Sequence, residues 1–119
     1  MKVLIVDDQE IDREVIKKML SEYEVVEESN GTSAWRRLLE DPSIKLLVSD
    51  VLVPDMDGRE LVHLLRSNEA LCDLPVILIS GGFSDGMIDF EDKVNPEKTK
   101  FLLKPLSKDE LTKVIKELL

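Results

Sequence analysis

The sequence predicts a single α/β domain, a five-stranded parallel sheet with helices on both faces. Two observations carry that expectation. Five strand-like runs alternate with five amphipathic stretches along the 119 residues, the order that gives parallel strands joined by right-handed crossovers. Three of the runs, Val3-Leu4-Ile5-Val6, Leu46-Leu47-Val48 and Val76-Ile77-Leu78-Ile79, are apolar throughout, as strands covered on both faces are.

Each element has its own signal. The first strand is Val3–Val6, and Ile11, Val15, Ile16, Met19 and Leu20 then fall on one face of a first helix. After a second strand at Glu24–Glu28, Asn30-Gly31 marks the turn into a helix carrying Ala34, Trp35, Leu38 and Leu39, with Trp35 read as core. The third strand is Lys45–Ser49, and Leu61, Leu64 and Leu65 fall on one face of the helix after it. Pro75–Ser80 forms the fourth strand. The stretch 83–97 holds Phe83, Met87, Ile88, Phe90 and Val94 at near-helical spacing, but also Gly86, several acids and Asn95-Pro96. That fourth helix is expected to be short or loosely held. Lys100–Leu103 is the fifth strand. The last helix repeats Leu111, Val114, Ile115 and Leu118 behind a capping box, Ser107 with Glu110.

Composition narrows the function. One domain covers 1–119, since the length supports one core and shows no linker or repeat. The formal net charge of -9 disfavours direct nucleic-acid contact, which needs a basic stripe. No apolar run is long enough to cross a membrane. The single cysteine, Cys72, excludes an internal disulfide framework and fits a reducing cytoplasm.

In doubly wound sheets, ligands sit at the carboxyl ends of the strands. There the sequence has Asp7-Asp8 after the first strand, Ser49-Asp50 at the third, Ser80-Gly81-Gly82 at the fourth and Lys104-Pro105 at the fifth. Three convergent carboxylates repel one another, by about 4 kcal/mol per pair 4 Å apart at an effective dielectric near 20. They need a cation, and carboxylate oxygens with room for water suit Mg²⁺. Asp50 then reads as a nucleophile toward phosphorus, giving an aspartyl phosphate. Lys104 pairs with it at rest and with a phosphoryl oxygen later, and Ser80 donates to another such oxygen. Gly81 keeps a side chain off the site. Singly, each of these is an ordinary cap or loop residue; their conjunction at four strand ends favours the chemical reading.

At these residues the chain resembles a response-regulator receiver domain over essentially its whole length. The resemblance rests on Val3-Leu4-Ile5-Val6-Asp7-Asp8, Leu47-Val48-Ser49-Asp50 with Pro54 and Gly58, Pro75 through Gly81, and Phe101-Leu102-Leu103-Lys104-Pro105. It implies a flavodoxin-like sheet in the order 2-1-3-4-5. It implies Mg²⁺ held by the Asp8 and Asp50 side chains and the Leu52 carbonyl, with Asp7 acting mainly through water. It makes Phe101 a switch aromatic that follows Ser80, and the Lys104-Pro105 bond a candidate cis peptide. The implied partners are a histidine kinase or histidine phosphotransfer protein, and a homodimer through the fourth helix, fifth strand and fifth helix. Such a domain assists only its own phosphorylation and dephosphorylation.

The departures are few. Val53 stands where the family commonly has methionine, and Asn95-Pro96-Glu97-Lys98-Thr99 replaces a small-residue turn before the last strand. Leu52 and Gly82 offer no polar side chain to orient an attacking water, so slow loss of the phosphoryl group is expected. A small Mg²⁺-dependent phosphohydrolase with an aspartyl nucleophile is the alternative, but Leu52 stands where such enzymes commonly need a second acid. A flavodoxin would need a hydroxyl- and glycine-rich loop where this chain has Asp7-Asp8-Gln9-Glu10. His63 and Cys72 are assigned no chemistry.

Overall fold

The computed structural model describes residues 1–81 and 97–119. Five strands, β1 (Lys2–Val6), β2 (Glu24–Glu28), β3 (Ile44–Asp50), β4 (Val76–Ser80) and β5 (Thr99–Leu103), pair in parallel in the order β2-β1-β3-β4-β5. The described helices are α1 (Glu10–Met19), α2 (Gly31–Glu40), α3 (Gly58–Ser67) and α4 (Lys108–Leu118). The helix expected within 83–97 lies, apart from Glu97, outside the described residues.

Side chains alternate along each strand, and the alternation sorts the core into two layers. Leu4, Val6, Leu47, Val76 and Leu78 meet Ala34 and Leu38 of α2 and Leu61, Val62 and Leu65 of α3. Val3, Ile5, Leu46, Val48, Ile77 and Ile79 meet Ile16 of α1 and Leu111, Ile115 and Leu118 of α4. The central strands are therefore apolar on both faces because both faces are covered. Full burial of each such side chain contributes about 1.5–3 kcal/mol.

Four positions expected on apolar helix faces are exposed. Ile11 and Val15 are 76% and 47% exposed, and Leu39 is 52% exposed. Leu64 is 37% exposed. The contact of α1 with the sheet is made further along by Ile16 and Leu20, so apolar spacing overestimates the width of the buried stripe. Trp35 packs half-buried against the α2–α3 layer.

Caps set where the helices begin. Asn30 accepts from the Ser33 N–H at 2.8 Å, Ser107 from the Glu110 N–H at 3.1 Å, and Asp57 from both Arg59 and Glu60 N–H. Two glycines let the loop between β3 and α3 come close. A Cβ on Gly31 would lie 1.8 Å from the Met56 carbonyl oxygen, and one on Gly58 would lie 2.8 Å from that of Asp50. At Asp55 the backbone takes the left-handed region, with φ 70°, which an aspartate tolerates better than most residues.

Candidate phosphoryl-acceptor site

Because all five strands are parallel, their carboxyl ends share one edge. Asp50 is the last residue of β3, the middle strand, and is 9% exposed. Asp7 follows β1 and is 1% exposed, Ser80 closes β4 at 8%, and Lys104 follows β5. The Lys104 backbone N–H donates to the Ser80 carbonyl at 2.9 Å, which extends the β4–β5 ladder into the site. The Lys104–Pro105 peptide is cis.

The Lys104 ammonium gathers the acids. It donates to Asp50 Oδ2 at 2.8 Å and to Asp12 Oδ2 at 3.2 Å, and lies 3.7 Å from Asp7 Oδ2. Burial opposes its charge, but the hydrogen bonds to Asp50 and Asp12 outweigh burial and hold its pKa well above the ordinary value. Burial raises the Asp7 carboxyl, and Asp50 and Asp12 add to that, while the Gln9 N–H and Lys104 act the other way. Asp7 Oδ1 accepts from that Gln9 N–H at 2.9 Å, whereas its Oδ2 is buried without a hydrogen bond. The second oxygen of Asp50, Oδ1, accepts from the Leu52 N–H at 3.0 Å.

The third carboxylate near Lys104 is Asp12, while Asp8 is exposed. Asp12 sits in the first turn of α1, and a strand-end search passes over it. Its spacing of four from Asp8 was the available signal, masked by the ordinary preference for acids at helix starts. Leu52 is 74% exposed beside Asp50, and Phe101 is half-buried against the α2–α3 layer. A Cβ on Gly81 would meet no described atom within 4 Å. Gly82 lies outside the described residues. His63 is exposed on α3, and Cys72 is a free, half-buried thiol.

The donor set suits a hard cation. The buried oxygen of Asp7 that has no hydrogen bond, and the carboxylate oxygens of Asp7 and Asp50 at one edge, fit Mg²⁺. Among the described residues no group of three His, Cys, Asp or Glu side chains is arranged to hold a metal ion unaided.

A family model described as the response regulator receiver domain matches residues 3–116. The chain belongs to the response-regulator receiver family. This receiver is 30% identical to a chemotaxis protein CheY homolog of Campylobacter jejuni, over all of this chain and 92% of that one. It superposes on the CheY4 chemotaxis protein of Vibrio cholerae with a TM-score of 0.86 at 27% identity, covering 99% and 98% of the two chains. The receiver domain of a Pseudomonas aeruginosa sensor histidine kinase, with magnesium in its active-site cleft, shares the fold at TM-score 0.84 and 22% identity, covering 98% and 95%. The chain is therefore a response-regulator receiver domain. No described helix is long and apolar enough to cross a membrane.

Proposed function

We propose that this receiver accepts a phosphoryl group on Asp50, with Mg²⁺, from a histidine kinase or histidine phosphotransfer protein. One observation carries the reading: a buried carboxylate at the end of the central strand, 2.8 Å from a lysine ammonium. An Asp50 oxygen forms the new O–P bond as the P–N bond of the donor phosphohistidine breaks, and the imidazole leaves with the electron pair. Charge on the equatorial phosphoryl oxygens is met by Lys104 and the Ser80 hydroxyl. Mg²⁺, held by Asp8, Asp50 and the Leu52 carbonyl with Asp7 behind its waters, would offset the remaining charge.

The phosphoryl group carries a charge of about -1.5 to -2 in place of that of the Asp50 carboxylate, which draws on Ser80 and lets Phe101 follow, altering the surface that partners read. A homodimer would use β5 and α4 together with the stretch between β4 and β5. The domain turns over no separate substrate, makes no direct nucleic-acid contact, and works in the cytoplasm. Leu52 shields the phosphoryl group and lengthens its life; a Leu52→Ala variant that loses phosphate more slowly would count against this.

The test is incubation with a small acyl phosphate and Mg²⁺, followed by intact mass. Wild type should gain one phosphoryl group and Asp50→Asn none. No adduct on wild type, or the same adduct on the variant, overturns the reading.

A further inference from the structure

We propose that Asp12 is a positioning residue that competes with the incoming phosphoryl group for the Lys104 ammonium. The inference rests on the phosphoacceptor reading of Asp50. Lys104 Nζ has three N–H donors, of which one goes to Asp50 Oδ2 at 2.8 Å and one to Asp12 Oδ2 at 3.2 Å. The two acceptors differ in kind. Asp50 ends a central strand and is nearly enclosed, with 11% of its side chain exposed; Asp12 lies on α1, with 36% exposed. The ammonium is stretched between the sheet and the helix.

Phosphoryl transfer changes one side of that balance. Asp50 stops being a carboxylate when it becomes an acyl phosphate, and the charge moves outward onto the phosphoryl oxygens. Lys104 must then turn a donor toward those oxygens. Asp12 keeps its full charge throughout and holds the ammonium back on the helix side. It is also a negative group close to the place where further negative charge arrives. Both effects set the resting state against the phosphorylated one, and both end when the charge of Asp12 is removed.

A plainer role for Asp12 is an acid in the first turn of α1, favoured by the helix dipole. The two roles separate on a readout other than folding. Fluoroberyllate with Mg²⁺ serves as a stable phosphoryl mimic, and its Kd is measured by titration calorimetry for wild type, Asp12→Asn and Asp12→Glu. Asp12→Asn should bind about two- to fivefold more tightly than wild type, the range expected of a partly exposed charged pair. That gain should shrink as added salt shortens the screening length. Asp12→Glu, which retains the charge, should stay closer to wild type than to Asp12→Asn.

Asp12→Asn binding no tighter than wild type, a gain that salt leaves unchanged, or Asp12→Glu binding as tightly as Asp12→Asn each overturns the inference alone. A wild type that neither binds the mimic nor gains a phosphoryl group overturns the phosphoacceptor reading, and this inference with it.

Discussion

Replacing Asp7 by asparagine should stabilise the metal-free protein, although Asp7 is among its most buried polar residues. The carboxylate is 1% exposed; one oxygen accepts from the Gln9 N–H, and the other has no hydrogen bond. A buried polar atom left unpaired costs about 1–3 kcal/mol and a charged one more, so the neutral amide, although its Nδ2 is left equally unpaired, costs less than the carboxylate. Lys104 at 3.7 Å offsets part of that, and Asp50 and Asp12 work against it. A net gain of about 1 kcal/mol follows for Asp7→Asn, because Asn keeps the Oδ1 acceptor and loses the charge. At this chain length that is about 3–6 °C in Tm. The pH dependence fixes the cause. Burial raises the folded carboxyl above its ordinary 3.8, so at neutral pH the folded state bears a penalty that the unfolded chain does not. As pH falls through the raised folded value, the folded state binds the proton first and the penalty is relieved. The advantage of Asp7→Asn should therefore be full near neutral pH and gone below about the unfolded value. Calorimetry in EDTA at both pH values tests it. Equal or lower stability of the variant at neutral pH, or a gain that persists in acid, would refute the argument.

Gly31→Ala should lose about 1–3 kcal/mol, the usual cost of overpacking, because its Cβ would meet the Met56 carbonyl oxygen at 1.8 Å; a urea midpoint equal to wild type would refute this. Arg66→Met should cost about 2–3 kcal/mol. The Arg66 guanidinium donates to the carbonyls of Cys72, Leu74 and Lys98 and to Thr99 Oγ1, tying α3 to the starts of β4 and β5. Arg66→Lys should not restore the loss in thermal melts, since one ammonium cannot span four acceptors arranged for a planar fork. Asp57→Ala should cost about 1 kcal/mol as a lost helix cap, read from the same melts.

Much of the site was legible before any coordinates. Asp7, Asp50, Ser80 and Lys104 each close or follow an apolar strand run, and a parallel sheet brings all such ends to one edge. Strand periodicity and topology were enough to gather them. The helix cap at Ser107 was equally plain, since Ser107 accepts from the Glu110 N–H three residues on, within its own local sequence. Ile11 and Val15 show the limit on the helices: spacing marks an apolar stripe, but the neighbours decide how much of it is covered.

The sequence by itself determined which residue types would stand at the carboxyl edge of the sheet, because the alternation within each strand and the succession of elements are written locally along the chain. Only the tertiary structure decided how they share charge. Asp12 comes from a helix and meets Lys104 across 92 positions of sequence. Asp8, adjacent to the buried Asp7, is left exposed. Distances between groups on different elements depend on how helices seat against the sheet, and no local pattern encodes that seating.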